Sequence, residues 1–417
     1  MKYLKFFASL IVVFSLIYWL LIFPKPIISP GDPQGYYAYL PTLFIDKTLE
    51  VKDPYQYDTH RDYLQYPAFN LYPQTQKYLN KYPPGVAILW LPGYLLATLI
   101  SKLTHLPING YNYIYQFFAG LSGVFYLSLG LLFLYKTLLQ FVSRKTSILT
   151  LAILFFSTNL FYYSFFEPAM SHVYSFFSIS LFIFLTQLWH KKPHSKKIPI
   201  LLGLSLGLSF LIRNSNLAIF LFLLFYLPKK LKSKCRSFAL IFFSFLFSLT
   251  PQIIYHLIIT RKAFVSAYIN EGFNWLNPAW YGVLLSPRKG LFFWAPVFLL
   301  ALPIFTKKIF SQPWLKAGLI YLILATYIIA SWHQWWYGDS FGHRAFIDLY
   351  PILALFIAIN LTHLFRSKKT QFIACLFLLI VTSLNLFLTS QYWQGNLPHD
   401  HVTFKSLQLL FSSQLLP

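Results

Sequence analysis

The sequence predicts an all-α polytopic membrane protein with about eleven transmembrane helices. Apolar runs of about twenty residues, the length that a helix needs to cross a bilayer, recur along the 417-residue chain. The composition agrees, since 57% of the residues are hydrophobic and only 11% are charged. The 34 Lys and Arg residues gather in short clusters between the apolar runs. Such clusters report membrane orientation, and they do not form a nucleic-acid-binding groove.

Nine apolar runs are clear candidates for membrane spans. We expect the first to be an uncleaved anchor, because it is long and no small-residue cleavage site precedes Pro24. The two cysteines, Cys235 and Cys375, offer neither a disulfide framework nor a metal-binding spacing. The nine runs cover approximately residues 4–23, 112–135, 147–165, 169–189, 237–259, 289–306, 315–332, 346–364 and 371–390.

Residues 83–103 form an apolar run whose placement depends on charge. If this run crossed the membrane, the basic clusters at Arg144 and at 190–197 would lie outside, whereas basic loops belong in the cytoplasm. Pro92 and Gly93 also interrupt a straight helix in its middle. We therefore expect a kinked interfacial helix that does not span.

Residues 198–228 form a second ambiguous run, with Lys-rich loops on both sides. Both flanks should be cytoplasmic, so the segment must enter the membrane and return. Each arm of about fourteen residues reaches roughly 21 Å, less than the roughly 30 Å hydrocarbon core. The tip, 213–216, is then expected below the outer surface, facing protein or a water-filled cavity.

These assignments give eleven helices, although a count of 12 or 13 stays open. The amino terminus is cytoplasmic and the carboxyl terminus is outside. Residues 1–417 form a single membrane-embedded domain, with a large outer loop at 24–111 that contains interfacial helices and a short outer tail at 391–417. All 11 acidic residues then lie on the outer side, although the basic residues alone decided the orientation.

The outer side holds the polar residues that could perform chemistry. Asp32 follows the first span directly and precedes Tyr36 and Tyr37; its Pro-Gly-Asp-Pro context is also ordinary turn chemistry. Arg213 lies at the hairpin tip, too deep to reach the interface by snorkelling. The tryptophans near residue 335 read equally well as an interfacial aromatic belt. The other candidates lie next to predicted spans: Glu167, His172, Arg288, Asp339, His343 and Arg344.

A base, several cations and a membrane-level cavity together suggest a lipid-phosphate substrate. When an acceptor hydroxyl displaces a lipid phosphate from a sugar, the phosphate leaves as a stable anion that cations can hold. The hydroxyl needs a base, and a carboxylate beside it can serve. The sequence contains no P-loop, dinucleotide fingerprint, nucleophile elbow or Cys/His metal pattern.

Five stretches resemble the GT-C superfamily of lipid-linked-sugar-dependent glycosyltransferases, of the protein-mannosyltransferase and aminoarabinose-transferase type. They occur in family order over nearly the whole chain. The stretches are GDPQGYYAYLP, KYPPGVAILWLPGYLLA, GLSLGLSFLIRNSN, LSPRKGLFFWAPVFLLALP and WWYGDSFGHRAF.

The resemblance implies a polyprenyl-phosphate sugar as donor and an active site on the outer face of the membrane, a bacterial cytoplasmic membrane in our reading. It implies Asp32 as the catalytic base and Glu167 as a second catalytic acid. Pro33 follows Asp32 where the family has a second acid, so the metal requirement stays open, with a divalent cation such as Mg²⁺ or Mn²⁺ as the candidate. In this reading Arg213, Arg288 and Arg344 bind the donor phosphate. Substrate contacts are assigned to Tyr36, Tyr37, His172, Asp339 and His343.

Rival interpretations remain. A transporter or flippase would place charged residues along a path to both faces and would contain inverted repeats, and neither is evident. A polymerase or ligase for lipid-linked glycans is closer and harder to separate. The sequence leaves open the sugar, the oligomeric state and the acceptor, which could be a lipid, a glycan or a protein.

Overall fold

A computed structural model describes residues 2–21, 26–29, 31–52, 68–228, 234–268, 271–302 and 312–412. These residues form eighteen α-helices and one two-stranded sheet. The helices are α1 (Lys2–Leu21), α2 (Asp32–Tyr37), α3 (Tyr39–Phe44), α4 (Gly85–Leu103), α5 (Tyr113–Leu138), α6 (Arg144–Phe156), α7 (Leu160–Phe165), α8 (Ser171–Lys191), α9 (Lys197–Ile212), α10 (Ile219–Phe225), α11 (Lys234–Ser248), α12 (Thr250–Thr260), α13 (Trp280–Leu284), α14 (Leu291–Trp294), α15 (Pro313–Ser331), α16 (Tyr350–Leu364), α17 (Lys368–Trp393) and α18 (Phe404–Phe411).

The described residues contain six helical segments that are long and apolar enough to cross a membrane, as in an integral membrane protein. A seventh is obtained if α11 and α12, which bend by 44° at their junction, count as one span. The predicted count of about eleven is not confirmed, partly because three apolar helical segments are shorter than a membrane span: Phe7–Leu20 within α1, α9, and Asn214–Phe225, which includes α10. The six segments are α4, α5, α8, α15, α17 and Arg344–Leu364, which joins a 3₁₀ turn to α16.

The chain divides into two compact units. Unit 1 comprises Met1–Leu132, Glu167–Leu217 and Pro228–Glu271, and unit 2 comprises Phe133–Phe166, Ala218–Leu227 and Gly272–Pro417. The single domain expected over 1–417 stays a prediction.

In unit 1, α9 packs closely against α8 and α11. Two glycines of α9 allow the approach, because a Cβ at Gly203 would lie 2.2 Å from the Ile241 carbonyl oxygen and one at Gly207 would lie 2.3 Å from Ser248 Cβ. An antiparallel hairpin, β1 (Phe69–Tyr72) and β2 (Lys77–Asn80), lies in the long loop between α1 and α5. The all-α prediction missed this hairpin. The same loop also contains the short helices α2 and α3.

The second half of α4 packs along the beginning of α5. A Cβ at Gly93 would approach Ser122 and Phe118, and the Tyr115 hydroxyl donates to Thr98 Oγ1 over 3.0 Å. The helix continues through Pro92, and the kink expected there stays a prediction. Length and hydropathy would allow α4 to cross the membrane, and its interfacial placement stays a prediction.

Unit 2 contains two predicted spans that are broken in the structure. The run at 147–165 divides into α6 and α7, and the described part of the run at 289–306 contains only α14 and a 3₁₀ turn, Pro296–Ala301. Pro296 lacks the N–H that a continuous helix requires. Buried amides satisfy the freed carbonyls: Asn385 donates to Thr158 over 3.0 Å, and Asn360 donates to Leu300 over 2.7 Å.

Candidate active site

Asp32 is the first residue of α2, where the chain turns at Gly31. Gly31 has φ +88°, a left-handed conformation that favours glycine. The Tyr82 hydroxyl donates a hydrogen bond to Asp32 Oδ1. Burial, followed by the negative charge of Asp32, raises the pKa of Tyr82 well above 10. The phenol therefore keeps its proton and orients the carboxylate.

The β1–β2 hairpin positions Tyr82 and its neighbour Lys81. Asn80, the last residue of β2, donates from its side chain to the Gly35 carbonyl of α2 over 2.7 Å. Its backbone N–H donates to the Tyr255 hydroxyl over 2.7 Å. A Cβ at Gly35 would lie 2.3 Å from the Tyr82 ring, so the close contact between α2 and Tyr82 requires glycine at this position.

Arg213 lies where α9 ends, in an extended conformation that breaks the helix as the sequence predicts. Its Nη1 donates to Ser171 Oγ over 3.4 Å, and the Tyr36 hydroxyl donates to the same oxygen over 3.0 Å. The Tyr36 ring lies 4.6 Å from the Tyr82 ring. Ser171, Tyr36 and Tyr82 therefore connect Arg213 to Asp32 within unit 1.

Gly85 fixes the spacing between α4 and the end of α9. A Cβ at this position would lie 2.3 Å from the Leu211 carbonyl carbon and 2.5 Å from the Ile212 nitrogen. The two backbones are thus in direct contact, two residues before Arg213 and three residues after Tyr82.

Lys81 adds a second cation to this region. It forms an ion pair with Glu271, and the side chains of both residues are less than 20% exposed. The Lys81 ammonium lies 5.1 Å from the Tyr268 ring centre. Tyr268 is within electrostatic reach of Asp32, Arg213 and Glu271. We call Asp32, Tyr36, Lys81, Tyr82, Ser171, Arg213, Tyr268 and Glu271 the Asp32 cluster.

A cavity of about 250 Å³ opens in unit 1 beside Lys81. Its wall is largely apolar, with Phe210, Leu249 and Phe264 among the lining residues. Tyr268 also lines it, so the cavity adjoins the Asp32 cluster. An apolar cavity with a cation at its wall suits an amphipathic anion.

Three other predicted residues of unit 1 have different surroundings. Glu167 is half-buried in the turn before α8, where its carbonyl accepts from the Met170 N–H over 3.1 Å. His172 is buried next to Ser171. Tyr37 is buried among aromatic rings, and its hydroxyl donates to the Gly110 carbonyl over 2.5 Å. The contacts of Tyr37 favour packing over substrate binding.

Arg288, predicted to bind phosphate, pairs with a carboxylate in unit 2. Its Nε and Nη2 donate to the two oxygens of Asp400 over 2.8 and 2.7 Å, and its guanidinium lies 4.2 Å from the Trp336 ring centre. Burial alone would raise the pKa of Asp400, but hydrogen bonds from Arg288 and from the His401 N–H lower it below 3.8. The pair fastens the tail at Asp400 to the loop around Trp336.

The neighbouring Lys289 is buried, and its ammonium donates to the carbonyls of Ser340 and His399. Burial lowers the pKa of Lys289 to about 7, and the nearby charges of Arg344 and Arg288 act in the same direction while those of Asp400 and Asp339 oppose it.

The remaining predicted residues also belong to unit 2. Asp339 is exposed, and Arg344 begins the 3₁₀ turn before α16. His343 is buried against the rings of Tyr337 and Phe346. Their proposed roles in substrate or phosphate binding stay predictions.

Within the described ranges, no three His, Cys, Asp or Glu side chains lie close enough together to hold a metal ion. These residues do not fit a metal site, and we derive no step through a metal.

Sequence reasoning missed part of the Asp32 cluster, namely Lys81, Tyr82, Ser171, Tyr268 and Glu271. A signal existed for the first two, because Lys81 and Tyr82 open the KYPPG stretch that carries the GT-C resemblance. Ser171 and Tyr268 are ordinary residues in the sequence, and only the folded chain brings them to Arg213.

Comparison with known proteins gives matches among solved structures alone. No protein-family model matches the sequence, and no curated protein matches it. The crystal structure of ArnT from Cupriavidus metallidurans bound to undecaprenyl phosphate is similar with a TM-score of 0.55 and 12% identity, covering 92% of this chain and 65% of that chain. The apo oligosaccharyltransferase from Archaeoglobus fulgidus is similar with a TM-score of 0.51 and 12% identity, covering 92% of this chain and 55% of that chain.

Both neighbours are GT-C glycosyltransferases, so the GT-C resemblance is confirmed for the fold. This chain spans 65% of the length of the ArnT structure and 55% of the length of the oligosaccharyltransferase structure.

Proposed function

We propose that this chain is a glycosyltransferase that moves a sugar from a polyprenyl-phosphate donor to an acceptor hydroxyl on the outer face of the membrane. The observation that carries the proposal is the Asp32 cluster, in which the Asp32 carboxylate and the cations Arg213 and Lys81 are assembled in one compact unit. The GT-C fold supports it, and the ArnT neighbour is a complex with undecaprenyl phosphate.

In the proposed step Asp32 acts as the base. The acceptor oxygen attacks the anomeric carbon of the donor sugar and gives its proton to the Asp32 carboxylate. The bond between the anomeric carbon and the phosphate oxygen breaks, and its electron pair leaves with the polyprenyl phosphate. Tyr82 holds the carboxylate in one orientation through its hydroxyl.

The leaving phosphate gains negative charge, which fixed cations stabilise. Arg213 offers a planar set of donors at the end of α9, held by Ser171. Lys81 offers a point charge on the wall of the apolar cavity, which would take the first part of the isoprenoid chain. We add Lys81 to the proposed phosphate set, where the phosphate would take the place of Glu271 beside the ammonium. Arg288 makes two contacts with Asp400, and its role in phosphate binding stays a prediction.

Glu167 is retained as the second catalytic acid, on the resemblance and on its position in unit 1 four residues before Ser171. Its test is the rate of sugar transfer by the Glu167→Gln variant. The sugar and the acceptor are left open, so a ligase for lipid-linked glycans differs from this proposal in the acceptor alone.

The test is transfer of label from radiolabelled polyprenyl-phosphate sugars to a membrane extract by the purified protein. Asp32→Asn removes the base with almost no change in volume, and we expect transfer to fall by roughly 10²- to 10⁴-fold. Asp46→Asn is the matched control, because Asp46 is an exposed carboxylate in the same loop. Asp32→Asn activity above roughly a tenth of wild type would contradict a base at this position.

A further inference from the structure

Residues 272–285 of unit 2 form a loop with an exposed apolar surface. The loop contains no acidic or basic side chain. Leu276, in its turn, is fully exposed. Large exposed apolar surfaces mark contacts with a membrane, a protein or a ligand. The other exposed large side chains are Phe273, Trp275, Trp280, Tyr281 and Leu285.

The loop is fixed to the end of α15 by its backbone. The N–H groups of Asn274 and Ala279 donate to the carbonyls of Ser331 and Ala330 over 2.6 and 2.8 Å. The last carbonyls of a helix have no partner within that helix, so these bonds satisfy both elements. Backbone groups that are already paired can enter an apolar medium at low cost.

The exposed surface continues onto α15, a candidate membrane span. The Tyr327 ring lies 5.6 Å from the Trp275 ring and 6.0 Å from the Trp280 ring, and the Tyr327 hydroxyl donates to the Trp275 carbonyl. Ile323 and Leu324, one turn earlier on the same helix face, are 54% and 38% exposed. One apolar stripe therefore runs from the span into the loop.

We infer that the loop 272–285 inserts into the outer leaflet at the boundary between headgroups and acyl chains. Lipid is the occupant, because the exposed surface is continuous with a candidate membrane span and carries no charged side chain that would oppose insertion. Trp and Tyr side chains are typical of this boundary. Insertion also holds the segment that follows, with Arg288 and Lys289, at the membrane surface.

The test places an environment-sensitive fluorophore (NBD) at Leu276→Cys in a background where Cys235 and Cys375 are serine, with the protein in lipid nanodiscs. Quenching is measured with acyl-chain doxyl lipids and with aqueous iodide. Ile323→Cys is the lipid-exposed reference, and Asn396→Cys, an exposed position in the tail, is the aqueous reference. Tyr281→Cys is a second position in the loop.

We expect the fluorophore at 276 to emit at shorter wavelength than the one at 396 and to lose most of its emission to the doxyl lipids, as at 323. The fluorophore at 281 should behave in the same way. The inference would be overturned if the fluorophores at 276 and 281 showed the same emission and quenching as the one at 396. Protection of both positions from both quenchers would overturn it as well. Neither readout depends on transferase activity.

Discussion

Arg213→Gln tests whether the guanidinium at the end of α9 binds the donor phosphate. Gln keeps an amide donor but removes the positive charge and the planar fork of donors. The change should leave α9 intact, because the helix ends through the Arg213 backbone N–H, which donates to the Ser209 carbonyl over 3.1 Å. The Asn216 side chain also braces this turn by donating to Ser175 and Ser209.

The expected magnitude follows from the hydrogen bonds that are lost. A hydrogen bond to a charged group contributes about 1.5–3 kcal/mol. The apparent Kd for donor should therefore rise by roughly 10- to 150-fold, since about 1.4 kcal/mol corresponds to a factor of ten. Ser171→Ala removes the oxygen that accepts from both Arg213 and Tyr36, and it should give a smaller rise. The part of this rise that acts through Arg213 is absent in the double variant, so the two changes together should raise the apparent Kd by less than the product of their separate effects.

The assay is a donor titration of transfer, with a thermal melt of each variant in detergent. Arg261→Gln is the control, since Arg261 is an exposed arginine at the end of α12 in the same unit. An unchanged donor affinity together with a large loss of thermal stability would mean that Arg213 has a structural role. Arg213 would then be removed from the proposed site.

Two further predictions concern topology and charge. A cysteine in place of Leu103, which is 70% exposed, should react with an impermeant reagent added from outside. A cysteine in place of Lys192 should not react. Labelling of position 103 from the cytoplasm alone would show that α4 crosses the membrane. Lys289 has a pKa of about 7 in the folded chain against 10.5 when unfolded, so the unfolded chain binds the extra proton between these values and stability should rise with pH across this window. In Lys289→Met, Tm should increase less with pH between these two values than it does in the wild type. An equal increase in both proteins would contradict the lowered pKa of Lys289.

The break at Arg213 could be predicted because it depends on local information. The polar run 213–216 interrupts the apolar run 198–228, so the sequence predicts a break in the helix there. The structure accordingly ends α9 at Ile212 and begins α10 at Ile219. The return of the chain to the same side of the membrane stays a prediction.

The partners of the charged residues could not be predicted, because they depend on the fold. Lys81 pairs with Glu271 across 190 positions of sequence, and Arg288 pairs with Asp400 across 112. A sequence shows that a cation lies near a predicted membrane surface, but it does not show whether a carboxylate from a distant segment already contacts it.

Two adjacent tyrosines of α2 also show that the sequence does not reveal the partner of a side chain. Tyr36 and Tyr37 have the same chemistry and the same distance from the first span. Successive residues of a helix point about 100° apart, so Tyr36 reaches Ser171 while Tyr37 reaches Gly110. Only the surroundings of α2 decide which of the two belongs to the Asp32 cluster.

At Gly85, main-chain atoms determine the spacing of the proposed site, whereas side chains supply its chemistry. Because main-chain atoms of Gly85 and Leu211 set the gap between the segment carrying Tyr82 and the segment carrying Arg213, side chains at 82 and 213 can be exchanged without altering that gap. Changes in transfer that follow a substitution at either side chain can therefore be attributed to its chemistry, provided that position 85 stays glycine. A single added methyl group at 85 would instead act as a wedge, widening the gap for every donor alike.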